Sequence, residues 1–192
     1  TVSARELPRE ERQGTIYALL AKPITRAELI AGKWLGAWCA ACAATICFYV
    51  LVAAVALLRG GSLNPLSLLQ AYLLQVSALG VICALGLACS TRMNFDAAAT
   101  FCFFVTGAAF LLTPRIPELL IKAEGARAHT LTAMYFLLPH FELFDLRQRL
   151  AYGAPPARWD IAGLVMIYGA VLAGTFVLLA WLGYRNKRFT RT

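Results

Sequence analysis

The chain has 192 residues, of which 60% are hydrophobic and 15% are charged. A soluble domain of this size cannot bury so large a share of apolar side chains, so the composition indicates a protein that crosses a membrane several times. The formal net charge of +8 comes from lysines and arginines between the apolar segments, not from one basic face, which argues against nucleic acid as a partner.

A short amphipathic helix is predicted near the N-terminus. The first 33 residues are polar, carry six basic side chains and lack the apolar core of a signal peptide. Within them, Gly14-Thr15 precedes an apolar stripe with helical spacing, which consists of Ile16, Leu19 and Leu20. The helix must stop before Pro23, after about two turns. Because so short a helix is unstable alone in water, we expect a partner or the membrane surface to hold it.

A second helix is predicted to begin at Arg26. Thr25 and Glu28 have the spacing of a capping box, in which each side chain accepts a hydrogen bond from a backbone N–H of the other residue. This helix runs without a break into residues 34–58, which carry no charge. At about 1.5 Å per residue these 25 residues reach about 37 Å, enough to cross a hydrocarbon core of about 30 Å.

Three further apolar segments complete a prediction of four transmembrane helices in an all-α protein. They cover residues 66–89, 95–113 and 161–183. The distribution of basic residues places the N-terminus, the second loop and the C-terminus of the chain in the cytoplasm. Residues 114–160 contain apolar runs too short to span, so we expect re-entrant or interfacial helices on the outer face. The prediction therefore divides the chain into a cytoplasmic loop, 1–33, and a transmembrane domain, 34–192.

Small and polar side chains mark candidate contacts inside the spans. A first ridge of small residues repeats every four positions and would let another helix approach closely; its members are Gly32, Gly36, Ala40 and Ala44. A second ridge consists of Gly80, Ala84 and Ala88. Gln70 and Gln75 are the strongly polar side chains of the second span. They either form hydrogen bonds to a neighbouring helix or face a cavity on a translocation path.

The sequence offers no metal or nucleotide site that we expect to be used. All six cysteines lie inside predicted spans, where thiols usually serve as small packing residues. Cys39 and Cys42 share a helix face, but no His, Met or acidic residue accompanies them in that span. The G-x-x-x-x-G-K-[ST] loop that cradles phosphates is also missing from the sequence. We therefore expect no catalytic residue, metal or cofactor in this chain.

One catalytic motif has a partial match. Phe136 and His140 fit the F-x-x-x-H element of CAAX-type intramembrane proteases, and Glu10-Glu11 could begin their E-E-x-x-x-R element. That element requires Arg where this chain has Thr15. The glutamates also lie on the other side of the membrane from the histidine in the predicted topology, so the protease hypothesis is disfavoured.

The stretch from Glu10 to Gly36 combines an acidic residue, a Gly-Thr pair, Leu-Leu, Pro-Ile-Thr-Arg and Gly-Lys. These positions are Glu10 or Glu11, Gly14-Thr15, Leu19-Leu20, Pro23 to Arg26 and Gly32-Lys33. In this order they closely resemble the cytoplasmic loop and following helix of type-2 ABC transporter permeases. A looser similarity covers Leu137 to Asp145, LLPHFELFD, which is similar to the segment before the last helix of many such permeases.

This resemblance implies a six-helix permease half in the plasma (inner) membrane, paired with a second copy and with cytoplasmic ATPase subunits that bind ATP and magnesium. Since four spans are predicted here, we expect two family helices upstream of residue 1. The resemblance further implies that residues 15–22 form a coupling helix against the ATPase. The implied contact residues are Glu11, Gly14, Thr15, Ile16, Leu19, Leu20, Pro23 and Arg26.

A function from another class stays open at this point. The same cytoplasmic helix could recruit a partner that is not an ATPase, in which case the protein would be a membrane anchoring or assembly factor. Co-purification of a nucleotide-binding subunit distinguishes this alternative from the transporter. If the protein is a transporter, the expectation that it exports its substrate rests on the resemblance alone.

Overall fold

The computed structural model describes residues 25–60, 64–121, 125–151 and 155–185. Within these ranges the secondary structure is helical, with no β-strand. The elements in chain order are α1 (Arg26–Leu58), α2 (Pro65–Ser90), α3 (Phe95–Leu112), α4 (Ile116–Ile121), α5 (Ala126–Leu137), a 3-10 helix (Phe141–Phe144), α6 (Arg147–Ala151) and α7 (Trp159–Arg185).

Three helices, α1, α2 and α7, are long and apolar enough to cross a membrane. They correspond to three of the four predicted spans, and the all-α, multi-pass character of the protein is confirmed. The apolar part of α3 covers 17 residues, Asp96–Leu112, which reach about 26 Å at about 1.5 Å per residue. Because this falls slightly short of a core of about 30 Å, the fourth span stays a prediction.

The predicted start of α1 is confirmed in atomic detail. The backbone N–H of Thr25 donates to Glu28 Oε2 at 2.8 Å, and the backbone N–H of Glu28 donates to Thr25 Oγ1 at 3.3 Å. These two bonds satisfy backbone donors that a helix N-terminus leaves without an intrahelical partner. The helix therefore begins at a fixed residue, Arg26, and continues unbroken for 33 residues.

The central helix of the fold is α2. It packs against α1, α3 and α7, and most extensively against α7. Half of the residues in its most apolar 18-residue stretch are buried, whereas no residue in the corresponding stretch of α1 is buried within the chain. Small side chains make this possible, since Ala84 has no exposed surface and Ala78 has 2%. α1 consequently lies at the edge of the bundle and α2 lies in its core.

Two apolar clusters adjoin along the bundle, because Trp34 and Val177 pack against both. One forms where α1 begins and where α2 and α7 end, and its buried members are Ile30, Leu87, Ala180 and Tyr184. The other extends along α2 and α7 away from that end and includes Phe141 and Phe144 of the 3-10 helix. The 3-10 helix thus lies away from the start of α1.

The 3-10 helix reaches well into the bundle. The Phe144 ring lies so close to Gly169 that a Cβ at that glycine would be 3.0 Å from Phe144 Cε1. Gly169 is ten residues from the start of α7, which is about 15 Å along the helix axis. The re-entrant or interfacial character of residues 114–160 and their position on the outer face stay predictions.

Candidate functional site

Most residues of the predicted ATPase contact lie outside the described part of the chain. They are Glu11, Gly14, Thr15, Ile16, Leu19, Leu20 and Pro23. The predicted coupling helix, residues 15–22, lies there as well and stays a prediction. Arg26, the last member of that set, is the first residue of α1. Of the predicted contact residues, the structure therefore describes only the one that begins α1.

Two tryptophans of α1 connect this region to the core of the bundle. The indole N–H of Trp34 donates to the Gly80 carbonyl at 3.0 Å, and that of Trp38 donates to the Val76 carbonyl at 2.9 Å. The two rings stack with centroids 5.3 Å apart. A carbonyl oxygen has two lone pairs, so each can accept the indole proton in addition to its intrahelical bond. The second quarter of α1 is thereby joined to α2 by directional contacts.

Gly80 makes this close contact possible. A Cβ at Gly80 would lie 3.2 Å from Trp38 Nε1, nearer than neighbouring side chains normally approach. The second ridge, to which Gly80 belongs, therefore packs against α1, as small-residue ridges do. The tryptophan contacts were not predicted from the sequence. A usable signal was present, because Trp34 and Trp38 are four residues apart and so share one helix face.

The first ridge has a different environment. Gly32, Gly36, Ala40 and Ala44 are all exposed within this chain. A Cβ added at Gly32 or Gly36 would meet no atom within 4 Å. No helix of the described ranges packs on this ridge, so its role as a packing surface stays a prediction that concerns another chain or another segment.

The two glutamines have separate environments. Gln70 is 1% exposed; its Nε2 donates to the Ala157 carbonyl at 3.0 Å, and its Oε1 accepts from the Ala157 N–H at 2.9 Å. Gln70 thus holds the loop before α7 by hydrogen bonds, and its partner is a loop residue instead of a neighbouring helix. Gln75 lines a cavity, and its place on a translocation path stays a prediction.

This cavity, termed here the aromatic cavity, has a volume of about 930 Å³ and is open on one side. It lies between α1, α2, α3 and the segment Phe141–Arg147. Its lining residues are Ala44, Thr45, Phe48, Tyr49, Gln75, Leu79, Phe110, Leu111, Pro114, Phe141, Glu142, Phe144, Asp145 and Arg147. Five of them are aromatic and three are charged. The cavity therefore combines apolar walls with a small charged region, as small-molecule sites commonly do.

The charged region contains one internal ion pair. Arg147 donates through Nε to Asp145 Oδ1 at 2.9 Å and through Nη2 to Asp145 Oδ2 at 2.7 Å. The hydrogen bonds from Arg147 lower the pKa of the Asp145 carboxyl, because they stabilise its ionised form. The third charged residue, Glu142, is half-buried. Its carboxylate forms no hydrogen bond or ion pair with the residues that the structure describes.

The structure gives no support to the protease hypothesis. The ring of His140 contacts Tyr135 edge-on at 4.4 Å between centroids, and its backbone N–H donates to the Tyr168 hydroxyl at 3.3 Å. No group of three His, Cys, Asp or Glu side chains in the described ranges could hold a metal ion. The six thiols are free, and Cys39 lies on the exposed surface of α1.

Comparison with known proteins identifies one family. The sequence model of the family described as ABC-2 family transporter protein matches residues 1–184, nearly the full length of the chain. Among individually curated proteins, the comparison found no significant match. The family match includes the N-terminal segment that carries the predicted ATPase contact, as well as the helices that form the aromatic cavity.

Proposed function

Since this chain belongs to the ABC-2 family of transporter proteins and is a membrane permease subunit, we propose that it moves a substrate across the membrane while a separate nucleotide-binding subunit hydrolyses ATP. The observation that carries this proposal is the family match over residues 1–184. The described geometry adds a route by which movement at the cytoplasmic end could reach a cavity inside the bundle.

The route begins at the predicted coupling helix, residues 15–22, whose apolar stripe would lie in a groove of the ATPase. α1 follows it directly. Because the capping box fixes the start of α1, a displacement there would move the helix instead of fraying its first turn. Trp34 and Trp38 would then transmit this movement to α2, the helix that packs against α1, α3 and α7.

The aromatic cavity lies at the far end of this route. α1 contributes Ala44, Thr45, Phe48 and Tyr49 to its lining, and α2 contributes Gln75 and Leu79. A change in the relative position of α1 and α2 would therefore change the shape of the cavity. In this proposal the end of the bundle where α1 begins is cytoplasmic, α3 is a fourth span, and the plasma membrane is the location. The exposed first ridge of α1 would contact a second permease copy.

The test is a purification of the full-length protein in mild detergent, with magnesium-dependent ATP hydrolysis assayed in the eluate. We expect an ATPase subunit to co-elute with the wild type and to be lost with Leu19→Asp, because a charge would enter the apolar stripe of the coupling helix. The matched control is Leu7→Asp, which places the same charge in the same loop but outside residues 15–22.

The outcomes separate the candidate functions. Loss of the ATPase in both variants would show that the loop as a whole is disturbed, and retention in both would remove the proposed contact. A stable wild-type protein without any ATPase would favour the alternative function, a membrane anchor for a partner of another kind. Retained transport by a Leu19→Asp, Leu20→Asp double variant would contradict the coupling role of the short helix.

A further inference from the structure

We propose that the aromatic cavity binds an organic cation with an apolar or aromatic body, and that such cations are the substrate class of this transporter. The second half of this inference rests on the proposed transport function. The first half rests on three features of the cavity, which are its volume, its aromatic walls and the sign of its uncompensated charge.

The volume and the walls suit a small molecule. A volume of about 930 Å³ lies within the range of about 300–1,000 Å³ that is usual for small-molecule sites. The five aromatic residues in the lining are Phe48, Tyr49, Phe110, Phe141 and Phe144. Phe141 and Phe144 are buried in the wall behind the cavity, whereas Phe48, Tyr49 and Phe110 keep accessible ring surface. A cation within about 6 Å of a ring centroid is attracted to the negative face of the ring.

The charges select for a cation over an anion. Arg147 is the cationic residue in the cavity lining, and its Nε and Nη2 donors are both bound to Asp145. This pair is neutral as a unit. Glu142 adds a carboxylate that has no partner among the described residues, so the lining carries one net negative charge. A bound cation would compensate that charge, whereas a bound anion would be repelled by it.

The shape of the ligand follows from the arrangement of these groups. The charged residues Glu142, Asp145 and Arg147 belong to one segment, whose own aromatic residues are buried. The accessible aromatic lining comes from α1 and α3. A fitting ligand therefore carries its positive charge toward the 3-10 segment and its apolar part toward these helices. Gln75 of α2 supplies a side-chain donor and acceptor in the same cavity.

The experiment measures binding of two probes that have nearly the same shape and opposite charge, tetraphenylphosphonium and tetraphenylborate. Both are equilibrated with the purified full-length protein in detergent by dialysis against matched empty micelles. We expect the cation to bind at least about tenfold more tightly than the anion, the scale of one close charge pair at a partly exposed site. Glu142→Gln should weaken cation binding by about the same factor and leave anion binding weak or improve it slightly.

Two further variants make the result specific. Glu118→Gln removes an exposed carboxylate of α4 that does not line the cavity, and its cation binding should match the wild type. Glu142→Asp keeps the charge and should keep the preference for the cation. If Glu142→Gln does not fold, Phe48→Ala replaces it, because Phe48 is 64% exposed and its loss should weaken cation binding without a packing defect.

Equal affinity for the two probes, absence of saturable cation binding, or equal effects of Glu142→Gln and Glu118→Gln would each overturn the proposal. The measurement needs neither nucleotide nor a partner subunit. Failure of cation binding with a co-eluting ATPase would therefore remove the substrate class alone. Cation binding without any ATPase would remove the transport function and leave the binding site.

Discussion

Substitution of Gly169 by alanine tests the position of the 3-10 helix inside the bundle. The new Cβ would lie 3.0 Å from Phe144 Cε1 and 3.1 Å from Phe144 Cζ. Phe144 is only 2% exposed, so its ring would have to shift within its packed surroundings to accept the new atom. Overpacking of this kind costs about 1–3 kcal/mol of unfolding free energy.

Gly174 of the same helix provides the control, because a Cβ there would meet nothing within 4 Å. Gly174→Ala should be neutral or slightly stabilising, since alanine has a higher helix propensity than glycine by up to about 1 kcal/mol. Because the gain in helix propensity applies to both variants, they should differ by the overpacking cost of about 1–3 kcal/mol. The assay is a titration with sodium dodecyl sulfate in mixed micelles, with loss of helix followed by circular dichroism.

A second substitution identifies the cause of the effect. In a Phe144→Leu background the smaller side chain leaves room for the new methyl group, so Gly169→Ala should cost less than in the wild type. This non-additivity is expected only for side chains that are in contact. Equal stability of Gly169→Ala and Gly174→Ala, or full additivity with Phe144→Leu, would refute the placement of the 3-10 helix against α7.

Three other predictions concern the polar contacts of the bundle. Trp38→Phe should lower the free energy of unfolding by about 1 kcal/mol, the scale of one interhelical hydrogen bond in a membrane. The control in the same titration is Trp159→Phe at the exposed start of α7, which should change the stability little. Gln70→Leu should lower the free energy of unfolding by about 2–3 kcal/mol, because it leaves a backbone N–H and a carbonyl of the loop before α7 without partners. Gln75→Leu is the control, and an equally small destabilisation by both variants would contradict this prediction. The folded-state pKa of Asp145 lies below its ordinary value, so its contribution to stability is complete above about pH 4 and is lost as the pH falls through that lowered pKa. Stability of Asp145→Asn should accordingly fall less steeply with acid, and parallel pH profiles would exclude the ion pair as the cause.

The features that the sequence predicted well are those that depend on neighbours in the chain. The start of α1 follows from Thr25 and Glu28, two residues three positions apart, and the structure shows both bonds of the capping box. Helix bounds follow from uninterrupted apolar segments for the same reason. The predicted span 66–89, for example, corresponds to α2 (Pro65–Ser90), because charges and a proline-containing turn mark its ends.

Features that depend on distant residues were not predictable in this way. The Gln70 side chain binds Ala157, a residue 87 positions away, and no local pattern indicates that partner. Small-residue spacing likewise identifies ridges but does not say which of them is occupied within one chain. The second ridge packs against Trp38, whereas Gly36 of the first ridge meets only open space.

The indole contacts of α1 also allow the rate at which α1 separates from α2 to be measured by hydrogen exchange. The chain has four tryptophans, and the side-chain N–H protons of two of them, Trp34 and Trp38, are held by carbonyls of α2. Such protons exchange with deuterium only when the bond opens. Their exchange rates, read from resolved indole signals in a magnetic resonance spectrum, would report how often α1 leaves α2. Addition of a nucleotide-bound ATPase subunit should change these rates if the helix pair is the element that moves.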